Sequence, residues 1–247
     1  VSYFFSSVAL GLWVSLLVTQ VVKWGFARKQ ALVELDNWIT ASLTPLVFVA
    51  SQLIANLVLD WSVSLAIGLF VVTLFGHLSY TIFYFLPRCF VRDHPANVVT
   101  PALYIPFMAT NLTSALVAAN LGWTILGQML WGIAVVAWLI LESIILKPWL
   151  FESRLSLEQR PLFGIETAPP VVVCLAWLAL FPGDESVIVW VCMGWGLFLT
   201  AVSLRLIPWW REVGFMPSFW SFSFGACALA SCAIQLAHTN GSDTGVY

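Results

Sequence analysis

Eight apolar runs divide the chain, each closed by charged or turn-forming residues. They cover residues 2–24, 37–59, 62–86, 100–121, 123–147, 160–181, 186–208 and 216–237. A bilayer span needs about 20 apolar residues. The pattern therefore predicts eight transmembrane helices in a single membrane domain, with a polar segment after His238 read as a loop.

The connections between the runs alternate in character. All ten Lys and Arg fall at one set of ends: Lys23, Arg28 and Lys29; Arg88 and Arg92; Lys147, Arg154 and Arg160; Arg205 and Arg211. The opposite connections carry Asp60, Asp184 and Glu185. By the positive-inside rule the basic side is cytoplasmic, which puts both ends of the chain outside. Trp24, Trp38, Trp61, Trp123, Trp149, Trp209 and Trp210 lie near run ends, as an interfacial aromatic belt requires.

Proline adds a second alternation. The second, fourth and sixth runs hold Pro45, Pro106 and the pair Pro169-Pro170 well inside, and the eighth holds Gly225 at the comparable place. These positions recur about every 60 residues. The odd-numbered runs lack internal proline and end near Pro87, Pro148 and Pro208. Internal proline frees a carbonyl and kinks a helix. In lipid the freed group must be satisfied by neighbours or by water in a cavity. The repeat unit is thus a helical hairpin of one broken and one smooth helix. Broken helices should face inward around a common axis, and smooth helices should form an outer ring.

Composition agrees and narrows the class. The chain is 61% hydrophobic and 9% charged, against about 25% charged in soluble domains, and its mean hydropathy is +0.94. An ordinary soluble enzyme and a disordered chain are both excluded. Ten Lys and Arg against twelve Asp and Glu leave no basic field for nucleic acid. The five cysteines, Cys89, Cys174, Cys192, Cys227 and Cys232, show no metal or redox spacing and read as small buried apolar residues. The first run begins at Val1 without a basic leader, so it is not a signal peptide, and the chain reads as part of a longer one.

No catalytic motif is present, so the expectation is a non-enzyme without cofactor or metal. Ionisable groups inside spans are functional candidates. Glu166, on a broken helix before Ala168-Pro169, is a possible proton or anion site; the alternative is a carboxyl hydrogen-bonded between helices. The second reading suits Glu142, on an outer helix, and His77 reads as a satisfied structural histidine. Asp60 reads as solvated. Gln52, Asn56 and Asn111 either line a pathway or bond helix to helix.

Several blocks carry a family resemblance. Thr100-Pro101-Ala102-Leu103-Tyr104-Ile105-Pro106, preceded by His94-Pro95 and followed by Asn111 and Ser114-Ala115, is similar to a helix of the tellurite-resistance/dicarboxylate transporter (TehA) family. Trp138-Leu139 with Leu141-Glu142, Phe163-Gly164-Ile165 with Ala168-Pro169, and Leu204-Arg205-Leu206 with Pro208-Trp209 follow in order. The last block is Ser218-Phe219-Trp220-Ser221-Phe222-Ser223-Phe224-Gly225.

The resemblance implies an all-α integral membrane protein of helical hairpin repeats. Kinked inner helices surround a central pore, smooth helices lie outside, and the family's first and last helices are absent here. It implies a homotrimer in the cell inner (plasma) membrane that passes small inorganic or organic anions and is associated with tellurite resistance. Phe224 is the expected gate, with Phe222 as fallback. Thr44, Pro45, Pro106, Asn111, Pro169, Phe222 and Gly225 are the expected pore lining. The alternative is a proton-coupled transporter of C4-dicarboxylate or sulfite. No span carries Lys or Arg at its middle. Anion selectivity would then come from half-helix dipoles and the basic loops, with an aromatic plug as a dry constriction.

Overall fold

The computed structural model describes residues 2–93, 99–147, 150–151, 156–157, 159–184 and 186–243. His94-Pro95, Pro148-Trp149, Arg154 and Glu185 lie outside them. Among the described residues there is no strand, and eight helices are long and apolar enough to cross a membrane. They are Phe4–Phe26, Trp38–Val58, Val63–Val91, Pro101–Asn120, Thr124–Lys147, Arg160–Leu180, Val187–Arg205 and Pro217–His238. The protein is an all-α integral membrane protein.

Burial separates inner from outer helices. In the fourth and sixth spans 78% of the apolar window is buried, and in the second 50%. In the smooth first, fifth and seventh spans the values are 0%, 22% and 28%. Hairpin pairing joins the second span to the third, the fourth to the fifth and the sixth to the seventh. The broken helices pack in an arc, second on fourth, fourth on sixth, sixth on eighth. The eighth departs from the burial rule: only 22% of its window is buried, along a stripe of Gly225, Ala228, Cys232 and Leu236.

The kinks arise where proline removes a backbone donor. The second span breaks at Thr44–Pro45 between Trp38–Leu43 and Leu46–Val58. The sixth pauses at Thr167 between Phe163–Glu166 and Ala168–Leu180. The fourth opens as a 3-10 turn at Pro101–Leu103 and widens to a π-turn at Ile105–Ala109. Its irregular carbonyls are capped by the third span. Thr81 donates to the Pro106 carbonyl at 3.2 Å, and His77 Nε2 lies 3.2 Å from the same oxygen. Thr110 donates to the Ile105 carbonyl at 2.9 Å, and its hydroxyl lies 2.7 Å from His77 Nε2. His77 is buried and ties the third span to the fourth through Nε2, but its buried Nδ1 has no partner, so the satisfied histidine expected from the sequence is met on one ring nitrogen only.

Three expectations are corrected, the first being the loop read after His238, where the eighth helix continues to Asp243. The eighth helix runs unbroken through Gly225, from Ser221 to Asp243, and its irregular turn is the 3-10 segment Pro217–Trp220. Glycine keeps its N–H, so unlike proline it need not kink the ladder. The third helix does not stop near Pro87. A π-turn at Tyr80–Phe85 absorbs the missing donor, and the helix continues to Val91.

Polar groups also tie the inner spans together. Gln52, fully buried, donates to Ser114 at 2.7 Å and accepts from Thr113 at 2.6 Å. Asn120 donates to Asn56 at 2.6 Å. Gln52 and Asn56 therefore bond the second span to the fourth. Cys174, Cys192 and Cys232 are buried as expected, but Cys89 is only half-buried and Cys227 is exposed.

At the basic ends, arginine clamps close the loops. Hydropathy hides a polar nine-residue helix, Arg28–Asp36, between the first two spans. Arg88 is 7% exposed, donates to the Leu35 and Asp36 carbonyls and lies 4.3 Å over the Trp38 ring. A lysine cannot fork to two carbonyls and stack as well. Arg88→Lys is expected to cost about 1–3 kcal/mol, read as a lower thermal midpoint in detergent.

Candidate functional site

The sixth and eighth spans meet closely because two small residues let them. A methyl group on Gly164 would overlap Ser221 Oγ and come within 2.7 Å of the Phe222 amide nitrogen. A methyl group on Gly225 would overlap Thr167 Oγ1 and lie 3.2 Å from the Ala168 nitrogen. Further out, Cys232 Sγ donates to the Val171 carbonyl at 3.2 Å. Ser221 donates to the Pro161 carbonyl at 2.6 Å. These contacts fix the rotation of the eighth helix about its own axis.

That rotation sets the two phenylalanines apart. Residues two positions apart on a helix lie about 200° around it. Phe222 packs edge-on to Trp210, with ring centroids 5.2 Å apart. It lines a cavity of about 500 Å³ with Thr200, Ser203 and Phe219, between the sixth, seventh and eighth spans. By helical geometry Phe224 falls on the flank opposite that cavity, half-buried against the central apolar cluster.

The other expected lining residues are scattered. Thr44 lines a cavity of about 850 Å³ between the first and second spans, together with Trp13, Leu17 and Lys23. Pro45, Pro106 and Pro169 are buried at the kinks, and Gly225 is covered by Thr167. Asn111 donates to the Phe107 carbonyl of its own helix at 2.7 Å, and its buried Oδ1 has no partner.

The structure brings together three residues that sequence reasoning kept apart. Tyr104 of the fourth span lies 2.7 Å from Glu142 Oε2 of the fifth and 3.0 Å from Glu166 Oε1 of the sixth. Trp138 Nε1 donates to the same Glu142 oxygen at 2.7 Å. Glu166 is fully buried, and Glu166 Oε2 and Glu142 Oε1 have no partner. Sharing the Tyr104 hydroxyl keeps Glu142 Oε2 and Glu166 Oε1 no more than 5.7 Å apart, and two unit charges that close repel by about 3 kcal/mol even at an effective dielectric of about 20. A doubly ionised pair is therefore disfavoured by geometry alone. Tyr104 sits in a block already noted for its prolines, yet nothing in its own sequence surroundings marks it as a partner of the two acids.

Charge at the basic ends is partly neutralised. Arg92 pairs with Asp36 at 2.7 Å, with Arg88 beyond it, and together they hold the Asp36 carboxyl below the usual carboxylate range. Arg160 pairs with Glu212 at 2.6 Å and lies 4.6 Å over the Trp209 ring. Among the described residues no group of His, Cys, Asp and Glu is arranged to hold a metal ion.

Comparison with known proteins places this architecture. The family described as "Voltage-dependent anion channel" matches residues 1–246. A curated relative, "Tellurite resistance protein TehA homolog" of Haemophilus influenzae, is 27% identical over 233 residues, covering 94% of this chain and 71% of the relative.

Proposed function

The chain belongs to the Voltage-dependent anion channel family, and from that premise we propose that it passes small anions through a pathway inside the arc of kinked spans, closed by Phe224. The observation that carries this reading is the fixed rotation of the eighth helix. With the helix seated by Gly164 and Gly225, Phe224, half-buried against the central apolar cluster, is read as the ring that faces the inner side of the arc. Phe222 is read as packing rather than gating, because it lies against Trp210.

Selectivity has a source without basic residues in the spans. Helices restart inside the second span at Leu46 and inside the sixth at Ala168. Each restart places a helix N-terminus, with its partial positive charge, within the membrane. The basic loops, read as cytoplasmic, add an attractive field at one mouth. Tellurite, for which the Haemophilus influenzae relative is named, would be one passenger among ordinary anions. The reading includes assembly as a homotrimer in the inner (plasma) membrane.

The alternative, a proton-coupled carrier of C4-dicarboxylate or sulfite, draws its support from the buried Glu142–Glu166 pair. Vesicles containing the Phe224→Ala protein separate the two. A channel releases trapped chloride with no pH gradient imposed. Release only under a proton gradient would replace the channel reading with the carrier.

A further inference from the structure

A hydroxyl has one proton to give. The Tyr104 hydroxyl faces two carboxyl oxygens, Glu142 Oε2 at 2.7 Å and Glu166 Oε1 at 3.0 Å. The shorter contact leads to an oxygen that also accepts from Trp138 Nε1. Glu142 thus has the surroundings of an acceptor, and Tyr104 donates to it. The Tyr104 oxygen and Glu166 Oε1 would then be two acceptors 3.0 Å apart, unless Glu166 brings a proton of its own.

Among the described residues no basic side chain pairs with Glu166. The fourth span offers Tyr104 and the fifth offers Glu142. Lys147 closes the fifth span five residues beyond Glu142, in the last turn before the basic loop. Arg160, at the base of the sixth, is engaged with Glu212 and the Trp209 carbonyl. The eighth helix has no Asp, Glu, Lys or Arg between Ser221 and His238. His77 bonds to the far side of the fourth span, at Pro106 and Thr110. Glu166 itself is fully buried, and its second oxygen lacks a partner.

We propose that Glu142, Tyr104 and Glu166 form a binding site for a single proton, carried on Glu166, which holds the fourth, fifth and sixth spans together beside the gate. Glu166 is followed directly by Thr167, whose side chain seats Gly225, the residue next to Phe224. Loss of the proton places two carboxylates across the junction of the fifth and sixth spans and loosens the Thr167–Gly225 seat. The proton is thus a closing ligand rather than a passenger. This second step rests on the gate reading; the existence of the proton site does not.

Infrared spectroscopy of the purified protein in lipid tests the site. Wild type at neutral pH is expected to show the carbonyl stretch of a protonated carboxyl. Glu166→Gln should abolish it, and Glu142→Gln should keep it, because the remaining Glu166 is still buried. Absence of the band from wild type, or its survival in Glu166→Gln, would overturn the proposal whatever the gate does. Bilayer currents test the coupling. Raising pH should open wild type by at least tenfold, with the reversal potential fixed by the anion gradient, and Glu166→Gln, which mimics the protonated form, should stay closed. A current that ignores pH while the infrared band titrates would overturn the coupling. A reversal potential that follows the proton gradient would show the proton to be a passenger.

Discussion

Phe224→Ala protein conducts in a planar bilayer under conditions where wild type is silent, and Phe222→Ala protein stays silent. The two rings are two residues apart, and an uninformed reading would treat them alike. The eighth helix distinguishes them. Its contact stripe on the sixth span leaves Phe222 against Trp210 and Phe224 on the opposite flank against the central apolar cluster. Trimming Phe224 removes the ring proposed to occlude the pathway. The expected gain is at least tenfold in current, or about 1.4 kcal/mol or more off the barrier. Trimming Phe222 enlarges a cavity between helices and costs stability instead. Equal leaks from both variants would remove Phe224 from its role.

Gly164→Ala and Gly225→Ala each destabilise the fold, and only one of them can be rescued. At Gly225 the overlapping atom belongs to the Thr167 side chain, and the next contacts lie 3.1 and 3.2 Å away. Thr167→Ala removes the hydroxyl, so the double variant should recover most of the loss. At Gly164 the new methyl meets the Phe222 amide nitrogen at 2.7 Å as well as the Ser221 side chain. Backbone cannot be trimmed, so Ser221→Ala should not rescue Gly164→Ala. Overpacking of this kind costs about 1–3 kcal/mol. Thermal unfolding in detergent reads the two single and two double variants against wild type. Full rescue at Gly164 would mean that the two helices slide apart readily, contrary to the close seat described here.

Much of this architecture is legible in the sequence because lipid leaves the backbone few choices. Apolar runs give the spans, and Pro45, Pro106 and Pro169 give the breaks in the second, fourth and sixth. Gly225 misleads, because a glycine in a broken-helix position resembles a hinge when its use is to admit Thr167. Pro87 misleads in the other direction, since a π-turn carries the third helix past it. The polar helix Arg28–Asp36 is invisible to hydropathy.

The carboxyl pair shows what a single chain hides and what it offers. Glu142 and Glu166 sit on different helices with no motif spacing, so reading them one at a time treats them as separate cases. Depth is the signal that joins them. Glu142 lies shortly before Lys147, Glu166 shortly after Arg160, and Tyr104 near the start of its span. All three are therefore about two turns or less from the same basic face. The same matching of depth pairs Gln52 with Thr113 and Ser114. Which faces the helices turn toward one another is set by packing, and periodicity along one helix does not contain it.

The reversal potential of the Phe224→Ala current in a potassium chloride gradient tests the central claim most directly. The account predicts a value near the chloride equilibrium potential, because the spans offer helix N-termini and no acidic ring to a passing ion. A value near the potassium equilibrium potential would contradict it, and with it the assignment of the inner arc as an anion pathway.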